Sequence, residues 1–207
     1  MIKLSIAILT LFALFSIKCF AQTSSFALTE EERKFLTTLL QQSLAKFDQS
    51  IANLTPAQFQ FRPSPKKWTV AECIEHVCLA ELHFLQIVKE ELSKPAEPNK
   101  RKKVKISNEK IIARLTNRGW RVRAPEIFKP SGKFSSVEEA IATFRSQRLK
   151  NIAYVDTINE DLRNHFWKHP ATGVIDLYQT MVLMSAHLER HIAQIEEIKG
   201  NKNYPKN

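Results

Sequence analysis

Three times in this chain a hydroxyl residue stands three positions ahead of a glutamate and directly before an apolar run. The segments are T-E-E-E at 29–32, T-V-A-E at 69–72 and S-V-E-E at 136–139. In such a box the hydroxyl accepts from the third backbone N–H of a helix while the glutamate returns a bond to the cap. Each box therefore fixes where a helix begins. Behind the first, Phe35, Leu36, Leu39, Leu40, Leu44 and Phe47 recur at helical spacing, which predicts a helix near 30–52. Behind the second, Ile74, Val77, Cys78, Leu82, Leu85 and Val88 carry a helix to about Ser93. The third opens a helix with Ala140, Ile141, Phe144, Leu149, Ile152, Val155 and Ile158. A fourth is predicted from about Val174 to Lys199, where Lys199 complements the helix dipole and Gly200 supplies the stop. Strand alternation is nearly absent. A short turn begins at Leu54-Thr55-Pro56, with proline at a first helical position.

These elements predict an all-α fold, a four-helix bundle. The 43% hydrophobic content supplies a packed core. Only four glycines occur, and none pair at phosphate-loop spacing. That argues against a barrel or sandwich and against a glycine-rich nucleotide cradle. At 207 residues the chain is expected to form one domain.

The N-terminus reads separately. Lys3 is followed by 14 uncharged residues, Leu4 to Ile17, and then by Lys18, Cys19, Phe20 and Ala21. This is the pattern of a secretory signal peptide over 1–21, cut after Ala21. It is shorter than the roughly 20 residues that span a bilayer, although an uncleaved anchor is the alternative. The expectation is an exported protein, periplasmic or extracellular, with a domain at 22–200 and a loose tail at 201–207. Export permits disulfides, but Cys73 and Cys78 lie five apart on one predicted helix, facing different sides. No bridge between them is expected.

The net charge of +10 is unevenly placed. Between Lys94 and Arg123, within a connection at 94–135 that joins the second and third helices, stand 11 basic and two acidic residues. K-R-K-K-V-K occupies 100–105, and Ile111, Ile112 and Leu115 suggest a short helix ended by Gly119. The rest of the exported chain is close to neutral. The charge thus marks one segment rather than a nucleic-acid-binding fold, and nucleic acid is not expected as a partner. An anionic membrane surface against Lys94–Arg123 fits the pattern. A small-molecule substrate and a homodimer stay open as partners.

Chemistry rests on six histidines. His187 and His191, in A-H-L-E-R-H-I-A-Q-I, stand one helical turn apart on one face, a spacing that lets two imidazoles share one metal ion. On spacing alone the pair is weak evidence, and ordinary polar-face or core histidines are the commoner reading. His76, in E-C-I-E-H-V on the second helix, is the natural third ligand. His83 lies about 10.5 Å further along the axis, too far to share the ion, and is expected to be partly exposed. His165 and His169 form another such pair, but His169 precedes Pro170, which favours a turn role. Gln194, three residues after His191, could reach the pocket or orient that ring, but solvated helix surface is the favoured reading for it as well. Glu72, Glu75, Glu189 and Arg190 are expected on solvated helix surface.

Taken in order, F-R-P-S-P-K-K-W at 61–68, W-T-V-A-E-C-I-E-H-V at 68–77, H-P-A-T-G-V-I-D-L at 169–177 and H-L-E-R-H-I-A-Q-I at 187–195 resemble the DinB-like proteins. The resemblance covers nearly the whole chain after the leader. It implies a four-helix bundle whose metal is held by one histidine of the second helix and two of the last. Carried over, these are His76, His187 and His191. The metal is a divalent transition ion, and Zn, Ni, Mn and Fe all accept imidazole. Members of the family include thiol-dependent S-transferases and isomerases, and others described as metal-dependent hydrolases. The resemblance therefore implies a hydrolase or thiol S-transferase. The alternative is a non-catalytic bundle in which the metal is a staple. The chain departs from the transferase members in carrying an export leader.

Overall fold

The first two boxes cap helices as expected. Thr29 and Thr69 each accept from the N–H of a glutamate three residues on, at 3.1 Å, and both glutamates return the bond. They open α1 (Glu30–Ile51) and, after the short α2 (Pro56–Gln60), α3 (Val70–Leu92). Ser136 caps α5 (Val137–Thr157), although the Glu139 carboxylate turns to Ser135 instead of closing the box. Two further boxes appear, Thr55 with Gln58 before α2 and Asp176 with Gln179 before α6 (Leu177–Lys199). Between α3 and α5 lies α4 (Asn108–Thr116). This computed structural model describes residues 27–120 and 123–206, so the expected leader at 1–21 lies outside the described residues.

The four long helices form a bundle in which α1 and α3 each contact both α5 and α6. Helices adjacent in space are thus mostly not consecutive in sequence. α4 packs on the outside of α6, and its Ile111 and Leu115 join the core. Among the described residues no helix is long and apolar enough to cross a membrane.

Three expectations need correction. The last helix starts at Leu177 rather than Val174, because 173–176 are the second strand of a hairpin. β1 (Phe166–His169) pairs antiparallel with β2 (Gly173–Asp176), placing Trp167 opposite Ile175. Four-residue strands carry too little alternation to register as a pattern, and Gly173 takes φ +79°, which glycine adopts without strain. The tail is docked rather than loose: Tyr204 meets Phe61 edge-on at 5.4 Å, and the Pro205 carbonyl accepts from Gln58. The basic connection is also folded onto the body, as described below.

The core is interrupted midway. One apolar cluster includes Leu36, Leu40, Phe84, Val88, Val155 and Met181, and another includes Phe47, Ile51, Cys73, Ile74, Phe144 and Ile195. Between them, at one level of the bundle, sit buried Ser43, Glu81, Arg148, Asn151 and Ser185. Arg148 reaches Glu81 at 2.7 Å and Ser43 at 3.1 Å, and Asn151 donates to the other Glu81 oxygen at 2.8 Å. A buried charge demands such partners. Cys73 and Cys78 are both buried free thiols.

Candidate metal centre

α3 and α6 are neighbours, and their packing brings His76 against His187 and His191. One nitrogen from each ring lies within 4.8 Å of the others, and His76 Nε2 is 3.2 Å from His187 Nε2. Two nitrogens bound about 2.1 Å from one ion are roughly 3.0–3.4 Å apart for angles between octahedral and tetrahedral. The observed pair fits that separation. Among the described residues no other group of three His, Cys, Asp or Glu side chains meets this way.

The rings are held from behind. His76 Nδ1 lies 2.7 Å from the Phe128 carbonyl. A carbonyl can only accept, so Nδ1 carries the proton and the neutral ring keeps its lone pair on Nε2. His191 Nδ1 is 3.1 Å from Gln194 Oε1, which fixes that ring in the same way. Gln194 thus takes the orienting role rather than the solvated-surface one favoured from sequence. Burial lowers the pKa of all three rings, driving His187 and His191 well below 6.5 with help from the neighbouring imidazoles. They are neutral near pH 7, the form a metal requires. Trp68 lies over His76, with ring centroids 4.8 Å apart, and Phe84 meets His187 edge-on at 5.6 Å.

The three histidines line a cavity of about 780 Å³, a size that suits a small organic molecule. Its walls are aromatic and its other polar groups are mostly cationic. Arg118 and Arg123 of the basic connection belong to the lining. Arg118 pairs bidentately with Glu197 at 2.8 and 2.9 Å, and its third nitrogen approaches Gln194 at 3.5 Å. The connection read as a surface arm therefore builds one wall of the pocket.

Two residues placed by sequence on solvated surface are buried. Glu75 accepts from the backbone N–H groups of Ser131, Gly132 and Lys133 at 2.9–3.1 Å. Burial alone would raise its pKa, but these three donors and the Lys133 charge hold it below the usual carboxylate range. Glu75 thereby pins the loop that carries Phe128 to His76. Arg190 donates to the carbonyls of Leu115, Asn117 and Trp120, tying the C-terminal end of α4 to α6. By contrast, Glu72 completes a cap and pairs with Arg62, and Glu189 pairs with Lys46. A helical repeat gives no hint of Glu75 or Arg190, since their partners lie in irregular loops.

The remaining histidines divide as their positions dictate. His83 is half-buried and meets Phe128 at a tilt, with ring centroids 4.8 Å apart. His165 bonds the Glu91 carbonyl. His169 ends β1 and does hold a turn, since its Nδ1 accepts from the Ala171 N–H at 3.2 Å. It also lines the cavity, and burial lowers its pKa to about 4. With Nδ1 accepting, the neutral ring carries its proton on Nε2, which makes His169 a hydrogen-bond donor at the cavity wall that the turn reading missed.

Known proteins share this plan. The uncharacterized protein YuaE of Bacillus subtilis (strain 168) is 21% identical over 149 residues, covering 72% of this chain and 88% of YuaE. The solved structure of YfiT from Bacillus subtilis, described as a probable metal-dependent hydrolase with an unusual four-helix bundle topology, matches with a TM-score of 0.59. That match has 16% identity and covers 86% of this chain and 92% of YfiT. The DinB superfamily matches residues 39–195, a span that holds all three clustered histidines and most of the bundle around them, so the chain belongs to the DinB superfamily.

Proposed function

We propose that His76, His187 and His191 hold one divalent transition metal and that the chain is a metal-dependent hydrolase. One observation carries this reading: three neutral imidazoles converge at a substrate-sized cavity, and among the described residues no fourth His, Cys, Asp or Glu joins their cluster at ligand distance. A structural zinc site is closed by four protein ligands, whereas a catalytic one keeps a position open. A bound divalent ion supplies Lewis acidity and a nucleophile active near neutral pH.

The chain's own groups support that chemistry. Phe128 and Gln194 fix the tautomers of His76 and His191. Trp68 and Phe84 pack on the rings and give the cavity beside them apolar walls. His169 offers an N–H at the cavity wall, where it can donate to a carbonyl or phosphoryl oxygen of a substrate. The description of YfiT as a probable metal-dependent hydrolase supports the same reading.

Elemental analysis of the purified chain tests it. The expected result is close to one transition metal per chain, lost in His76→Ala, His187→Ala and His191→Ala. A metal-free chain of undiminished stability from metal-replete expression would refute the assignment. Hydrolysis of a panel of esters, amides and phosphoesters should then depend on metal and fail in the same variants.

A further inference from the structure

The cavity is lined by six cationic side chains, Lys66, Lys67, Arg118, Arg123, Lys168 and Arg190, and by one carboxylate, Glu197, already bound to Arg118. These cations come from four separate places: the connection before α3, the connection after α4, β1 and α6. Lys66, Lys67, Arg123 and Lys168 are exposed and make no ion pair among the described residues. Arg190 is buried and donates to backbone carbonyls, and it shares with Arg118 the influence of the single carboxylate, Glu197. Elsewhere some cations meet acids, as in Lys46–Glu189, Arg145–Asp48 and Arg163–Glu32, while others, Lys102, Lys103 and Lys105 among them, stand on open surface outside the cavity lining. Six cations against one carboxylate therefore give the cavity that holds the three histidines a net positive lining. Low-dielectric walls of Trp68, Phe84, Phe128 and Trp167 strengthen the field inside it.

We infer that this cavity takes an organic anion: an apolar, preferably aromatic body between the tryptophan and phenylalanine walls, bearing a carboxylate or phosphate that faces the basic rim. The inference rests on the cavity being the substrate site of the proposed hydrolase, and it names the substrate class. Aromatic walls supply apolar contact area and cations fix the orientation. The oxyanion chemistry is shared by carboxylates and phosphate monoesters, and the choice between them is left to the probe.

The test is direct binding to the full chain, both metal-loaded and chelator-stripped. Trp68 and Trp167 line the cavity, so quenching of tryptophan fluorescence can follow it. Four probes share one ring system: 2-naphthoate, 2-naphthyl phosphate, 2-naphthamide and 2-naphthylmethylammonium. The anions should bind at least tenfold more tightly than the amide, the cation should bind weakest, and raising salt should narrow the gap. The tighter of the two anions identifies the head group. The double substitution Lys67→Glu, Lys168→Glu should weaken anion binding about tenfold or more. The same charge change at Lys102→Glu, Lys103→Glu, which lie outside the lining, should shift it less than twofold. Equal affinity for amide and anion, or equal losses from both double variants, would overturn the inference. A chain that binds no metal yet still prefers the anions sustains the basic cavity and refutes the metal assignment. A chain that binds metal without anion preference does the reverse.

Discussion

His76 donates from Nδ1 to the carbonyl oxygen of Phe128 across 2.7 Å, and that carbonyl is delivered by a loop anchored to the neighbouring residue, Glu75. Three backbone N–H groups converge on the Glu75 carboxylate, one of them from Gly132 at φ +72°. A side chain adjacent to a ligand on the helix thus orients that ligand from the opposite side. Removing such an outer partner typically costs about 10–100-fold in metal affinity. Glu75→Ala should therefore weaken metal binding in a chelator competition by that factor while the helical circular dichroism is retained. Unchanged affinity would mean that the loop holds Phe128 without Glu75.

Metal removal should destabilise the chain. A ligand at 100 times its dissociation constant stabilises the folded state by about 2.7 kcal/mol. For a chain of this size that corresponds to a fall in Tm of about 5–11 °C on chelation. His187→Ala should show no further fall when chelator is added, and the comparison of the two scans isolates the metal contribution.

Much of this architecture is legible in the sequence because it is local. Thr29, Thr69 and Ser136 announce helix starts through partners three residues away, and the i, i+4 spacing of His187 and His191 already implies a shared face. What escapes is set by contacts distant in sequence. Glu75 looks like a surface glutamate until residues 131–133 fold over it. Arg118 reads as one charge in a basic run until α4 docks on α6 and turns it toward Glu197 and Gln194. The hairpin at 166–176 escapes because its strands are shorter than any pattern that could reveal them, and Tyr204 because a polar C-terminal stretch gives no sign of the Phe61 surface that receives it.

Acid should unfold the metal-free chain through its histidines. Burial lowers the folded-state pKa of His76, His169, His187 and His191 below the ordinary value near 6.5. The unfolded chain then binds more protons, so stability is complete above about pH 6.5 and declines as pH falls toward the folded values. Each affected histidine contributes a slope of about 1.4 kcal/mol per pH unit inside that window. Urea midpoints should hold between pH 7.5 and about 6.5 and fall from there to pH 5.0. His187→Ala and His191→Ala should flatten the dependence, and a midpoint that holds or rises over that lower range would contradict the burial of neutral rings.

The Arg148–Glu81 pair makes the sharpest prediction about the bundle itself. Both side chains are buried, and they join α5 to α3 between two apolar clusters. Removing one partner leaves an uncompensated charge in a low-dielectric interior, which costs about 3–5 kcal/mol. Arg148→Met and Glu81→Leu should each lose that much in urea denaturation. Their combination removes both charges, so the double variant should be markedly more stable than the sum of the single losses predicts. It should not return to wild type, because Ser43 and Asn151 each lose a hydrogen-bond partner in the pair. Strictly additive losses around the cycle would show that the two charges are not energetically coupled despite their 2.7 Å contact.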